Sequence, residues 1–493
     1  MSPPTSPPWI RATAALGLAT AAFLVPSSAP LSAQAHYWSE HFGNESVLLN
    51  GAVIGSVTDA GAVFYNPARL LHQEERVVVA SAKAYEWTQT RVDDGLGEGE
   101  DLARSGFRSI PSFVVGTFTI PGLDGHQFAY GVLTRFRAHL AFSFRDERES
   151  VLPILPGSDD FVGFADFDTE FRDDWFGLSW AHALTEDLSL GASLFWFERD
   201  LTRRASFDFR GLSETGEAAT LESSRSYIAK DKGLVGKASL AWRRGGASLG
   251  LNVTLPYWTI SSRGEVEYDD FYVGIPDSTG VVDNQLRSLR QGGLPMDWRT
   301  PWAVGFGAGW ESGDWHFHTA TEYYAAVAPH VLMEVRSGDE DEGIGQPIDY
   351  AVVEERNAVL NVGAGVRWQA SDRVEAFASV ATNFSAAPDS VVDFLAFEPV
   401  VSNTTNETDF VLVGGGVSAR TKWADFTLGV SWQGGRDDVV RAVTLPDDDS
   451  TGDDPDDSGP PDATVRWNQV RFLAGFSIPR VNELIGDVVG GGG

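Results

Sequence analysis

Residues Trp302 to Trp310 alternate strictly, with Trp302, Val304, Phe306, Ala308 and Trp310 on one side of an extended chain and Ala303, Gly305, Gly307 and Gly309 on the other. Successive side chains of a β-strand point to opposite faces, so this segment reads as a strand with one greasy face and one nearly bare one. The pattern returns in Phe426, Leu428, Val430 and Trp432, set against Thr427, Gly429, Ser431 and Gln433. It returns in Leu188, Leu190, Ala192, Leu194 and Trp196, and again in Leu249, Leu251, Val253, Leu255 and Tyr257. Between Phe128 and Phe144, one face takes Phe128, Tyr130, Val132, Phe136, Leu140 and Phe142, which sends Arg135, Arg137 and His139 inward.

A soluble β-sandwich also alternates, because its apolar face meets a second sheet. Strand length separates the two cases. Soluble strands run ~5 to 6 residues, whereas these persist for roughly 9 or more, the length a tilted strand needs to cross hydrocarbon. Short connections lie at 121–125, 184–187, 243–246, 312–314, 370–372 and 421–423, rich in turn formers or charge. Long polar stretches lie between them, near 92–107, 145–165, 203–224, 269–296, 337–352, 385–407 and 436–463. Tight turns on one side and long loops on the other are the signature of an outer-membrane barrel. The expected fold is all-β: a membrane-spanning antiparallel up-and-down β-barrel of about 14 strands.

Composition agrees with many strands and turns, since glycine (52), phenylalanine (30) and tryptophan (16) are plentiful and cysteine is absent. No disulfide or thiolate metal site is possible. A formal charge of -32 would repel DNA, RNA and anionic lipid, which argues against a nucleic-acid partner and favours cations. A soluble propeller would also use many strands, but no convincing 40-residue repeat is present. Residues 1–35 read as an export signal: Arg11 precedes the apolar run Ala12 to Val25, and Ala33 and Ala35 flank Gln34 as at a cleavage site. An uncleaved anchor helix is the alternative. After this leader no stretch of about 18 apolar residues occurs, which excludes helical spans.

Several strings invite chemistry. Gly246-Ala247-Ser248-Leu249-Gly250 matches a hydrolase nucleophile elbow, but the serine opens a strand with no helix after it, so a filler role is expected. His316, His318 and Glu322 share a strand face, and a polar lumen is the plainer reading than a metal site. Asp447, Asp448, Asp449, Asp453, Asp454, Asp456 and Asp457 crowd one loop, yet Ser458 stands where a calcium loop needs a bidentate glutamate. A solvated acidic loop that loosely recruits divalent ions is expected. Arg135, Arg137 and His139, with Lys237, Arg367 and Arg471, could meet a ligand carboxylate in the lumen or pair with lumen acids.

Residues 36–75 do not alternate, but they carry Gly51-Ala52-Val53-Ile54-Gly55, Asp59-Ala60-Gly61-Ala62-Val63 and Phe64-Tyr65-Asn66-Pro67-Ala68. A small-residue stretch, an Asp-Ala step and an Asn-Pro-Ala leading into the first strand resemble the N-terminal hatch of the FadL/TodX family of outer-membrane transporters for hydrophobic compounds. Gly233-Leu234-Val235-Gly236-Lys237 and Thr300-Pro301-Trp302-Ala303-Val304-Gly305 are similar to strand pairs of that family. The resemblance implies a leader over 1–35, a hatch over 36–75 inside the lumen, a barrel over 76–478 and a periplasmic tail over 479–493. It implies uptake of fatty acids or hydrocarbons by a monomer with a lateral exit to the bilayer, no enzyme activity and no cofactor. Asp59, Asn66, Pro67 and Ala68 would shape or gate the hatch. The implied partners are a hydrophobic ligand, outer-membrane lipid and lipopolysaccharide, and the barrel-assembly machinery. One departure is that the last strand is followed by Pro479 and a glycine-rich tail, so Phe476 is the candidate assembly signal. An adhesin barrel with acidic cation-binding loops, or an outer-membrane lipase, are the rival functions.

Overall fold

A computed structural model describes residues 35–73, 76–94, 101–148, 158–213, 216–274, 284–335, 343–344, 350–388, 400–402, 408–421, 424–440 and 462–479. The leader up to residue 34, the aspartate-rich loop at 447–457 and the tail beyond 479 lie outside the described residues.

The strands in chain order are β1 (Arg76–Asp93), β2 (Leu102–Phe118), β3 (His126–Arg148), β4 (Ser158–Ala183), β5 (Leu188–Ser213), β6 (Ala218–Arg244) and β7 (Ala247–Thr254). There follow β8 (Trp258–Val273), β9 (Gln285–Leu294), β10 (Ala303–Ser312), β11 (Trp315–Tyr324), β12 (Val327–Glu334), β13 (Gly343–Ile344) and β14 (Ala351–Arg356). The last are β15 (Val359–Ser371), β16 (Val374–Asn383), β17 (Val400–Ser402), β18 (Phe410–Arg420), β19 (Asp425–Val440) and β20 (Asp462–Pro479).

Antiparallel pairing passes from β1 through β2, β3, β4, β5, β6, β7, β10, β11, β15, β16, β18, β19 and β20, fourteen staves in all. It then returns to β1, which pairs β20 from Arg76↔Pro479 to Asp93↔Thr464. Pairing that returns the last stave to the first lets the strands satisfy most backbone groups between themselves, which is how strands can cross a bilayer. All six expected tight turns fall at one end, between β2 and β3, β4 and β5, β6 and β7, β10 and β11, β15 and β16, and β18 and β19.

Near that end the exterior is apolar. Leu178, Leu194, Leu249, Trp302, Phe306, Trp310, Leu428 and Val430 are all exposed, while Ser189, Ser193, Asn252, Thr427 and Ser431 are buried on the inner face. An apolar belt of this breadth matches a hydrocarbon-facing surface.

The staves differ in height. β4, β5 and β6 contain 26, 26 and 27 residues, against 10 each for β10 and β11. Crossing hydrocarbon takes about 9 to 11 residues, so more than half of the tall wall stands outside it. The stretches 145–165 and 203–224, expected as loops, largely continue these strands. Their polarity misleads because both layers above the membrane differ from those within it. Asp166, Glu170 and Arg172 face out, while Phe167, Phe171, Leu201, Phe207 and Tyr227 are buried inside. At the far end Phe142 of β3 and Phe209 of β5 pack against Val92, Leu102, Ala463 and Val465 of β1, β2 and β20.

Candidate functional site

Residues 35–73 lie within the ring and are nearly all buried. They touch staves on every side. Asn50 donates to Ser379 of β16 at 3.1 Å and accepts from Ser431 of β19 at 3.0 Å, Ser56 bonds His318 of β11 at 2.8 Å, and Val63 accepts from Ser193 of β5 at 2.9 Å. Small inward residues on the wall make this possible. A side-chain carbon on Gly307 would overlap the backbone nitrogen of Gly55, so the bare face of the Trp302–Trp310 strand is where another backbone lies against it.

Asp59 ties this inner segment to itself. Its carboxylate accepts from the backbone N–H of Glu45 (2.7 Å), Ser46 (2.9 Å) and Gly61 (2.9 Å), and from the Ser46 hydroxyl (2.8 Å). Asn66 ties it to the wall: Nδ2 donates to the Ile54 carbonyl at 2.9 Å and to the Leu240 carbonyl of β6 at 3.1 Å. Pro67 opens a short 3₁₀ helix, Pro67–His72, where its fixed φ and missing N–H are tolerated. Ala68 is clamped at both ends, its N–H donating to Ser239 Oγ and its carbonyl accepting from Ser189 Oγ, both at 2.9 Å.

The wall is incomplete at one seam. β2 and β3 pair only from Phe118↔Phe128 to Phe113↔Leu133, whereas β3 and β4 stay paired as far as Arg148↔Phe161. Two local features end the β2–β3 ladder. Pro111, just beyond the last pair, has no N–H to offer, and β3 carries a bulge at Arg135, between Thr134 and Phe136. The opening starts in the hydrocarbon belt, below the exposed aromatics Tyr85, Trp87 and Phe107 that mark its outer margin.

Behind the seam is a cavity of about 350 Å³, lined by Phe107, Phe136, Leu140, Phe410 and Trp467 with Arg104, Arg137 and Arg471. A second cavity of about 70 Å³ lies deeper, between the inner segment and the tall wall, lined by Tyr37, Phe64, Arg135, Trp175, Lys237 and Tyr257. His36 and Phe136 line both, so the cavities adjoin. Burial holds the His36 imidazole down to about 4, so it is neutral there. Small-molecule sites measure about 300 to 1,000 Å³, so the cavity at the seam is of ligand size and the deeper one has room only for a few waters.

The bulge corrects one expectation. Arg135 does face inward, donating to the Tyr37 carbonyl at 2.7 Å, with its guanidinium 5.4 Å from the Phe64 ring centroid. The extra residue reverses the faces beyond it: Phe136 and Ala138 turn inward, and Arg137 and His139 turn outward. His139 pairs Asp168 on the outer surface at 3.0 Å. Lys237, raised only in passing by the sequence, sits with Nζ 4.1 Å from the same Phe64 ring. Arg104 and the adjoining role of Phe136 went unread, because no local signal marks an unpaired seam.

The other strings resolve plainly. His318 is engaged by Ser56, His316 by Arg367 at 2.8 Å, and Glu322 by Trp38 Nε1 (2.9 Å) and the Tyr324 hydroxyl (2.6 Å), so all three serve hydrogen-bonded contacts in the lumen. Ser248 is a buried residue of β7, with no helix following. Phe476 faces outward on β20.

No protein-family model matches the chain, and no curated protein does. Solved structures do. A FadL homologue from Pseudomonas aeruginosa superposes with a TM-score of 0.55 and 11% identity over 90% of this chain and 100% of its own. A variant of the TodX monoaromatic hydrocarbon channel gives 0.54 and 12% over 90% and 100%. The CymD monoaromatic hydrocarbon channel gives 0.51 and 11% over 89% and 98%. The chain therefore has the fold of the FadL/TodX outer-membrane channels.

Proposed function

We propose that this protein sits in a bacterial outer membrane and passes hydrophobic small molecules between its lumen and the bilayer through the β2–β3 seam. The observation that carries this reading is a ligand-sized cavity lined by both edges of the stretch where β2 and β3 stop pairing. An apolar solute gains about 0.8 kcal/mol per methylene on leaving water, so a side route into lipid keeps it dry throughout. Residues 35–73 act as the stopper, held to the wall by Asn66 and Ala68 and braced internally by Asp59. Arg135 and Lys237 beside Phe64 form a second station, which opens as the inner segment yields and suits a ligand with a polar or anionic end. The functions named for the similar channels, monoaromatic hydrocarbon passage and toluene transport, fit this class of substrate.

Filling the cavity tests the proposal. Ala138 lines it and faces inward. Ala138→Trp is expected to lower uptake of a labelled alkane or fatty acid by cells about fivefold, since the seam cavity sits at the lower edge of ligand-site sizes. Barrel folding, read from heat-modifiable gel mobility, should be unchanged. Unaltered uptake by a folded variant would rule out the seam as the route.

A further inference from the structure

We infer that Arg137, Arg172, Lys230 and Arg263 form a docking row on the outer surface of the wall, where the phosphorylated head group of an outer-leaflet glycolipid binds. The row does not depend on the side route.

Strand register brings these side chains together. Arg137 of β3 stands opposite Arg172 of β4, and Arg172 opposite Asp200 of β5. Asp200 stands opposite Lys230 of β6, and Lys230 opposite Arg263 of β8. Arg172, Lys230 and Arg263 are exposed, and Arg137 and Asp200 are half-buried. Neighbouring strands lie about 4.8 Å apart, so the row runs about 19 Å across five strands. It sets four cations against the one carboxylate of Asp200, a local reversal of sign on a chain of charge -32.

Like charges directly opposite each other destabilise a pair of strands. The row contains two such pairs, Arg137 with Arg172 and Lys230 with Arg263, one on each side of Asp200. Arg172 is partly neutralised by Asp174 on its own strand. Arg137, Lys230 and Arg263 have no ion-pair partner among the described residues. The adjoining rows are built the other way. Asp174 and Glu198 lie one step toward the membrane, with Glu198 held by Lys232 at 3.0 Å, and Glu170 and Glu265 lie one step away from it. An oxyanion seated at each like-charged pair would offset the repulsion through charge-assisted hydrogen bonds.

Height selects the lipid. The exposed apolar residue Phe176 lies four positions from Arg172 on the side of the tight turns, and Ile260 lies three from Arg263. Four residues of a strand tilted about 40° climb about 10 Å, whereas the head-group layer of a bilayer is about 5 to 7 Å thick. The cations therefore stand at the outer edge of that layer, level with phosphates carried on sugars rather than with those of a phospholipid. A protein this acidic is repelled by an anionic leaflet as a whole, and a cationic row at this level supplies the matching contact.

The test uses the full chain in a neutral detergent with three probes: bisphosphorylated lipid A, the same glycolipid with its phosphates removed, and phosphatidylglycerol. Lys230→Gln with Arg263→Gln should weaken lipid A binding about tenfold and leave the dephosphorylated form within about twofold. Arg137→Gln with Arg172→Gln should do the same. The exchange Lys230→Arg with Arg263→Lys keeps the charge and should bind like the unmodified protein. Melting without lipid is the folding control: the glutamine variants should melt no lower than the unmodified protein, because they lose a repulsion. Added lipid A should raise the melting of the unmodified protein more than that of either glutamine variant. Equal binding of the two glycolipid forms by the unmodified protein, or undiminished lipid A binding by both glutamine variants, overturns the inference. Competition by phosphatidylglycerol as strong as that of lipid A overturns the assignment to a glycolipid. None of these measurements reads hydrophobic uptake, so their failure leaves the side route standing.

Discussion

The β2–β3 seam and the β7–β10 seam begin alike and end differently. Near the turns each is a short ladder, six pairs in the first and eight in the second. Above β7 and β10 the chain kinks but pairing resumes between β8 and β9, from Gly264↔Leu294 to Tyr272↔Gln285. Above the β2–β3 ladder it does not resume among the described residues. The inner faces differ as well. Gly250 and Gly307 let the backbone of Ile54 and Gly55 lie directly on the β7–β10 wall, whereas the other seam has a cavity behind it. An opening in a barrel thus needs two things at one place: strands that stop pairing and an interior that leaves the gap unfilled.

The comparison breaks most sharply if β3 loses its bulge. Deleting Arg135 keeps the remaining register with β4, since Thr134↔Asp174 and Phe136↔Asp173 become consecutive pairs, and it straightens the edge that faces β2. Unpaired backbone in hydrocarbon costs several kcal/mol per group, so the two edges are expected to zip together and hydrophobic uptake to fall at least about tenfold. Arg135→Gln, which keeps the bulge, separates loss of the opening from loss of the side chain. If the deletion variant folds and still transports, the bulge does not hold the seam apart.

The sealed side gives the second test. Gly307→Val would drive a branched side chain into Gly55 and Ile54, where backbone rather than a flexible side chain must give way. Overpacking costs about 1 to 3 kcal/mol, enough to undock the inner segment in part and raise leakage of a hydrophilic dye from proteoliposomes about tenfold. Uptake through the seam should change less than the leak. A tight barrel with unchanged melting would show that residues 35–73 are not the seal on that side.

How much of this was legible in the sequence follows from the range of the interactions. Alternation in Trp302–Trp310 and Phe426–Trp432 is a local signal, set by the two-residue repeat of a strand, and it placed the membrane face correctly. The turns were readable for the same reason. The heights of β4 to β6 were not, because a strand leaving the membrane exchanges an apolar outer face for a charged one and looks like a loop. A one-residue bulge was also invisible: Arg135, Arg137 and His139 share parity, and only the pairing with Asp173 and Arg172 shows that the faces switch between them. Asn66-Pro67-Ala68 stood out as a motif, but its bonds to Leu240, Ser239 and Ser189 join residues more than 120 positions apart.

That long-range anchoring gives the smallest expected effect and the finest test of the sealed side. Asn66 spends its amide on two carbonyls, one in the inner segment and one in β6, and so couples that segment to the wall at a fully buried point. Asn66→Ala removes both bonds without adding bulk. A buried hydrogen bond is worth about 1 kcal/mol net, and Ala68 remains held by Ser239 and Ser189, so dye leakage should rise only about threefold. Combining it with Ser239→Ala should raise the leak further than the two single changes added together, because each clamp masks loss of the other. Strict additivity would mean that the two bonds hold separate parts of the segment, and that the motif is a turn rather than a joint.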